Sequence, residues 1–442
     1  MLTQWSMTQQ VVLGIFAATF LYQVYFYLRY ILAAVLRTKP RKVDAADSPV
    51  QQPGVSVIVC ARNEERNLRD YLQALLTQDY PEFEVIVVND GSIDDTRTYL
   101  EYWQKRYRNL KLTFVPAGAK VGSTKKLAIT LGAKAAQYDY LLLTDADCRP
   151  ESTHWISEMM KGFAQQPVSA AVCQCSGLSA QRSVSAAVCQ RSSQSAQQSV
   201  SAAVSQRSGQ SAQRSVSEAV CIVLGFGAYF AKPGLLNRMI QFDTLFNGLQ
   251  YLGMAACGHP YMGVGRNLAY SKRLFFQQGG FYHLMTSKAG DDDLFVNRVA
   301  TAANTAVVCT PDSLTWSVPK TNLTDWFRQK RRHLSVAPKY KSSSKFRLTL
   351  EPLTRGLLYA ALIILVVLGC QQPAQGGWVP AIIAASAMLV RWIMQCVLLN
   401  IPAHRWGTTK TFLLLPVWEI VLPVISLVMM LIEPLRPKSK RW

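Results

Sequence analysis

"VSVIVCARNEERNLRDYLQALLTQDYPEFEVIVVNDGSIDDT", residues Val55 to Thr96, decides the fold. Its first apolar run, Val55 to Cys60, is rich in Val and Ile and ends in the polar turn Ala61-Arg62-Asn63-Glu64. From Glu65 to Leu76 the apolar residues recur at helical spacing, and Glu84 to Asn89 is a second β-branched run that stops at Asp90-Gly91-Ser92. Strand, helix and strand in this order predict a parallel sheet covered on both faces. In such sheets ligands bind beyond the carboxyl ends of the strands, where both polar turns lie. Capping alone would also explain Asn63 and Asp90, so the two turns mark a ligand site only if further polar groups join them.

The next strand, "YDYLLLTDADC" (Tyr138 to Cys148), ends in Asp145-Ala146-Asp147. Two carboxylates two residues apart offer hard oxygen ligands to Mg2+ or Mn2+, and such a cation can bridge a diphosphate. At the end of so apolar a strand, unpaired carboxylates are costly unless a cation or donors meet them. Lys125 and Lys126, leading into the preceding helix, are placed to neutralise phosphate.

Outward from this unit the chain turns apolar. Of its 442 residues half are hydrophobic, and 47 Lys and Arg stand against 27 Asp and Glu, a formal charge of +20. Much of the excess flanks apolar segments: Arg37, Lys39, Arg41 and Lys42; Lys330 to Arg332; Arg436 to Arg441. That placement indicates a membrane surface, with lipids as partners, and no nucleic acid. Residues 11–36 exceed the roughly 20 needed to cross a bilayer. The basic residues after them place the following domain in the cytoplasm at the cell (inner) membrane. Gly356 to Cys370, Trp378 to Asn400 and Thr411 to Ile432 are three further apolar stretches. Four full spans would put the basic tail outside, and Pro416, Glu419 and Pro423 leave the last segment open to being broken or interfacial. The ten Cys show neither a disulfide framework nor a zinc spacing.

From Val168 to Ser215 the chain repeats a 16-residue unit three times, beginning at Val168, Val184 and Val200. Each copy is rich in Ser, Gln and Arg and buries too little apolar surface to offset ordering entropy, so a disordered insertion is expected. Beyond it, the apolar run Ala219 to Phe230 reads as one further strand. The organisation read is a short N-terminus (1–10), an anchor (11–36), a linker (37–52), the sheet domain (53–340) interrupted at 168–215, membrane helices (355–432) and a basic tail (433–442).

"VIVCARNEE", "VVNDGS", "KKLAITLGAK" and "LLLTDADC", in this order after a membrane anchor, resemble family 2 glycosyltransferases of the GT-A fold. "GVGRNLAYSKRLF" (Gly263 to Phe275) is similar to the family's acceptor-side loop, "GDDDLF" (Gly290 to Phe295) to its acidic motif and "QKRRH" (Gln329 to His333) to its Gln-x-x-Arg-Trp motif. The resemblance implies an α/β, mostly parallel sheet with one N-terminal and about three C-terminal membrane helices. It implies a UDP- or GDP-sugar donor, a glycan or lipid acceptor, and inverting transfer assisted by Mg2+ or Mn2+. Carried over residue by residue, Ala61, Glu64, Asp90, Lys126 and Asp145 would hold the nucleotide sugar and Asp147 the metal. Gly265, Asn267, Gln329, Arg332 and His333 would face acceptor or diphosphate. The general base would be Asp291 on one alignment of the motif and Asp292 on another. His333 replaces the family Trp, which leaves single addition and polymer synthesis both open. Trp326 and the membrane segments that follow suggest an interfacial helix at the mouth of a lipid or glycan path. A scaffold that binds nucleotide sugar without turnover is the alternative from a different class.

Overall fold

A computed structural model of the chain describes residues 5–39, 52–116, 118, 122–165, 219–285, 287, 289–372, 377–410 and 414–432. The repeat at 168–215, most of the 37–52 linker and the basic tail lie outside these residues. Among the described residues there are ten strands: β1 Val55–Ala61, β2 Phe83–Asn89, β3 Leu110–Phe114, β4 Tyr140–Asp145, β5 Cys148–Pro150, β6 Ile222–Leu224, β7 Gly227–Tyr229, β8 Leu268–Ser271, β9 Thr305–Val307 and β10 Thr315–Ser317. Seven form one sheet in the order β3-β2-β1-β4-β8-β6-β9. β3, β2, β1 and β4 run parallel, β8 is antiparallel to β4 and to β6, and β9 is parallel to β6. A smaller sheet, β5-β10-β7, lies beyond the end of β4.

The alternation of side chains along β1 explains the two covered faces. Val55, Val57 and Val59 pack with Leu68, Leu72, Leu75 and Leu76 of the helix Glu65–Leu76. Ile58 points the other way, into a core with Ala128, Ile129 and Ala133 of the helix Thr124–Ala135. That helix sits close because Gly132 has no side chain; a Cβ there would lie 2.7 Å from Ile58 Cγ2. The register from Val55↔Phe83 to Ala61↔Asn89 brings the ends of β1 and β2 level, and Cys60 pairs with Asp145 of β4. The polar turns after three strands therefore open on one edge.

The apolar run Ala219 to Phe230, read as one strand, divides into β6 and β7, which belong to different sheets. The break falls at Gly225-Phe226. A Cβ on Gly225 would lie 2.5 Å from the Asn267 amide, and the Phe226 ring stacks 4.3 Å from that of Trp406. Both contacts turn the chain away from the main sheet.

Among the described residues, four helices are long and apolar enough to cross a membrane: Met7–Arg37, Ser342–Gln371, Trp378–Arg405 and Leu415–Ile432. The first contains a π turn over Tyr27–Ile31, where the helix Leu235–Ala256 approaches so closely that a Cβ on Gly253 would lie 1.9 Å from the Tyr30 carbonyl oxygen. Tyr27, Tyr30 and Ile31 share one core with the sheet, so the anchor is packed against the domain. The helix expected from Gly356 begins earlier, at Ser342, and passes through Pro352. The last helix is continuous through Pro423, and Pro416 falls in its first turn, where a missing N–H costs little. The two charges that interrupted these segments face each other: Arg391 and Glu419 are buried and form an ion pair.

Candidate functional site

The rim of the site is made by the turns after β1 and β2, which are tied together. Asn63 adopts a left-handed backbone conformation (φ 56°); its N–H donates to Ser92 Oγ at 3.0 Å and its Oδ1 accepts from the Ile93 N–H at 2.9 Å. The Glu64 N–H donates to Thr96 Oγ1, and the Asp90 N–H to the Ala61 carbonyl at 2.8 Å. Ala61, Glu64 and Asp90 thus stand side by side, with Arg62 3.7 Å from Asp90. Burial pushes the Glu64 carboxyl up; Asn67 opposes this, and the negative charges of Asp147 and Asp145 add to it.

Asp145 ends β4, and the turn through Ala146 brings Asp147 back beside it. Ligand atoms of Asp145, Asp147 and Cys148 lie within 4.8 Å of one another. Burial and the neighbouring Asp145 raise the Asp147 carboxyl. Burial and the same carboxylates hold the Cys148 thiol well above its usual range, and it donates to Asp147 Oδ1 at 3.4 Å. The two carboxylates of this group fit a hard divalent cation such as Mg2+ or Mn2+.

Across from this pair, Lys125 at the start of the helix Thr124–Ala135 sends its ammonium between two acids. It lies 2.9 Å from Asp145 Oδ1 and 3.3 Å from Asp291 Oδ2. Burial works against its charge, but Asp145 and Asp291 outweigh that and hold it well above the usual lysine range. Nearly half of its side chain still reaches solvent.

The three aspartates of the acidic segment have separate environments. Burial would raise Asp291, yet Lys125 overrides it and keeps the carboxyl below its ordinary value. Asp292 accepts from the Gly265 N–H at 2.7 Å and from the Asp293 N–H at 2.8 Å, so each oxygen is pinned by backbone. Burial and Asp291 raise it. Asp293 accepts from the Leu294 N–H and from the Tyr340 hydroxyl at 3.0 Å, and burial together with Asp292 pushes it up to about 8. Gly265, expected on the acceptor side, is here the backbone donor that fixes Asp292.

Two expected ligands are committed elsewhere. Lys126 is fully buried, and its ammonium donates to the carbonyls of Leu284 at 2.9 Å, Ser287 at 2.6 Å and Ala289 at 2.9 Å. No donor is left for a phosphate; Lys125 occupies the cleft instead. Asn267 is also fully buried: its amide donates to the Phe226 carbonyl at 2.9 Å and the Ser313 carbonyl at 2.7 Å, and accepts from Trp155 Nε1 at 3.1 Å. It is a core staple and is not available to acceptor or diphosphate.

Gln329, Arg332 and His333 lie on the helix Leu323–Leu334. Gln329 donates to the Tyr229 hydroxyl at 2.9 Å, and Lys330 pairs with Asp243 at 2.6 Å. Arg332 and His333 are exposed, whereas Trp326 is buried in protein and so is not an interfacial anchor. Arg266 was not singled out from the sequence, although it lies within the Gly263 to Phe275 stretch. Its guanidinium stacks 4.2 Å over the Tyr229 ring and donates to the Ala228 carbonyl and to Ser317 Oγ. It thereby joins the small sheet to the partner of Gln329 and places a positive charge near Asp147.

Residues 56–182 match the model of glycosyl transferase family 2. The chain is similar to the poly-beta-1,6-N-acetyl-D-glucosamine synthase of Staphylococcus epidermidis, 33% identical over 97 residues, which are 22% of each chain. It is also similar to the probable glycosyltransferase YdaM of Bacillus subtilis, 34% identical over 101 residues, 22% of this chain and 24% of that protein. The chain thus spans about a quarter or less of the length of these two relatives. Among solved structures, the mannosyltransferase PcManGT from Pyrobaculum calidifontis, in complex with GDP-Man and Mn2+, superposes with a TM-score of 0.48 at 19% identity, covering 89% of this chain and 98% of that one. The match to glycosyl transferase family 2 thus covers residues 56–182, the part of the chain that opens the mostly parallel sheet and carries Asp90, Asp145 and Asp147.

Proposed function

We propose that the chain is a membrane-bound, inverting glycosyltransferase that moves a sugar from a UDP- or GDP-sugar to a glycan or lipid acceptor, with its sheet on the cytoplasmic side. The observation that carries this reading is the single ammonium of Lys125 between Asp145 and Asp291. In this reading the carboxylate assigned to the diphosphate side and the one assigned to the acceptor side share one cation.

In this reading Ala61, Glu64 and Asp90 receive the nucleoside, and Asp145 and Asp147 hold Mg2+ or Mn2+. The cation supplies charge neutralisation for the departing nucleoside diphosphate. Lys125 adds a second positive charge on the same side. Asp291 is the better base of the two candidates, because Asp292 has both oxygens committed to backbone N–H groups. The acceptor hydroxyl gives its proton to Asp291, its oxygen forms the new bond to the anomeric carbon, and the bond from that carbon to the phosphate oxygen breaks. The pair of electrons leaves with the diphosphate, so no residue is glycosylated and the configuration inverts. Gln329, Arg332 and His333 lie on a helix hitched to β7 and would close the acceptor side.

The test is a panel of UDP- and GDP-sugars offered to membranes holding the full chain, with products analysed by mass. Similarity to proteins named poly-N-acetylglucosamine synthases puts an N-acetylhexosamine donor first in that panel. Equal background release of sugar by the native chain and by an Asp147→Ala variant would favour a scaffold that only binds. A ladder of oligosaccharides would mark a synthase, and a single glycolipid an enzyme of one addition.

A further inference from the structure

We propose that Lys126 is a positioning residue for the transfer reaction: by holding the carbonyls of Leu284, Ser287 and Ala289, it fixes the turn that delivers Asp291 and Asp292 to the cleft. The proposal rests on the transferase function proposed for that cleft. An ammonium taken fully out of water costs several kcal/mol unless every proton finds an acceptor. Here three protons meet three carbonyl oxygens at 2.6 to 2.9 Å. The converse holds for the turn, whose carbonyls converge on one point and would repel one another without the cation.

The helix start makes this possible. Ser123 caps it, with its hydroxyl accepting from the Lys126 N–H, and successive residues on a helix project about 100° apart. Lys125 therefore enters the cleft to meet Asp145 and Asp291, while Lys126 turns behind the acidic segment. Gly290, between the clamped turn and Asp291, has a φ of 87°, a conformation that a glycine adopts freely. The turn is also held from its far side: Lys339 Nζ donates to Ser287 Oγ at 2.9 Å, and Tyr340 to Asp293. With both sides tied, the approach of Asp291 to Lys125 follows from where Lys126 holds the turn.

The experiment uses the full-length chain in membranes, with UDP-N-acetylglucosamine and GDP-mannose as donor probes. Lys126→Met is expected to lower kcat about 100-fold, the usual cost of a misplacement of about 1 Å, with KM for the donor unchanged. Amide exchange across residues 281–294 is expected to accelerate. If KM rises while kcat is kept, Lys126 binds phosphate and the proposal is wrong. Native kcat together with native exchange also overturns it. Should the methionine variant fail to accumulate, Lys126→Gln, which keeps two donors, decides on the same split of kcat against KM. If the native chain turns over neither probe, the functional reading fails, and the exchange measurement still judges the clamp.

Discussion

The Lys125 ammonium stands 3.3 Å from the Asp291 carboxylate, and this contact keeps a buried acid charged. Removing it takes away the main influence that opposes burial at Asp291. In Lys125→Met the Asp291 carboxyl rises, so a higher pH is needed to hold it in its basic form. The acidic limb of the kcat/KM profile is expected to move upward, by about one pH unit or more. Lys125→Arg retains the charge and is expected to move it less. An acidic limb that stays in place in Lys125→Met excludes Asp291 as the base.

The Asp145 and Asp147 carboxylates are the oxygen pair proposed to hold a divalent cation, with the Cys148 thiol beside them. Chelation is expected to stop transfer, and Mg2+ or Mn2+ to restore it. Asp147→Ala is expected to lose about 100-fold or more in kcat, on the scale seen when a group that stabilises transition-state charge is deleted. Cys148→Ser is expected to keep its dependence on Mg2+ or Mn2+. Loss of that dependence in Cys148→Ser would show the thiol to be a ligand.

Asn267 belongs to the acceptor-side motif in sequence, yet its amide joins Phe226, Ser313 and Trp155 inside the core. Asn267→Ala takes the hydrogen-bond partner from the Ser313 carbonyl and the Trp155 indole N–H, both buried, and one of two donors from the Phe226 carbonyl. Each such group costs about 1–3 kcal/mol. A clear fall in thermal midpoint is expected, with KM for donor and acceptor retained by the folded fraction. A raised KM at native stability would return Asn267 to the binding site.

Much of the fold was legible because its signals are local. The helix from Glu65 to Leu76 begins and ends where the periodicity of Leu68, Leu72 and Leu75 places it. The strand from Val55 extends one residue past the expected Cys60. The motifs also contain the two acids that meet at Lys125, Asp145 and Asp291. What could not be read was which of two adjacent residues meets them. Lys125 and Lys126 are identical in type, and only the position of the turn at 284–289 sends one to carboxylates and the other to carbonyls. Asn267 shows the same limit, because three partners from distant parts of the chain decide its role. The run from Ala219 to Phe230 has uniform β character, and its division comes from Asn267 and Trp406, which are remote in sequence.

The repeat contributes no candidate residue to the cleft, so its removal is a test of the domain boundary. Joining Pro167 directly to Val216 deletes residues 168–215 between a helix that ends at Met160 and the strand that begins at Ile222. Loop closure varies only logarithmically with length, so the change in stability is expected to be small, about 0.6 kcal/mol for each halving of the loop. Membrane levels and kcat are expected to stay near native. An insoluble or inactive deletion variant would show that the repeat is structural.

Arg391 and Glu419 are the charges that made the two C-terminal spans hard to read, and their pairing turns that difficulty into a prediction. Arg391 also donates to Gln23 of the first membrane helix at 2.8 Å, and Gln395 donates to Glu419 at 3.0 Å and to the Tyr27 hydroxyl at 2.7 Å. The Tyr359 hydroxyl, from the helix Ser342–Gln371, reaches Glu419 at 3.2 Å. All four helices thus meet at one polar junction, an expensive arrangement in a bilayer unless each charge is matched. Arg391→Leu leaves the Glu419 carboxylate without its cation, a loss of about 3–5 kcal/mol. The double variant Arg391→Leu, Glu419→Leu removes both charges and is expected to recover much of that loss, because similar apolar volume replaces the pair. Thermal unfolding of the native chain, both single variants and the double variant completes the cycle. Additive losses would mean that the two residues do not act on each other, and that the helices are held together by their apolar faces alone.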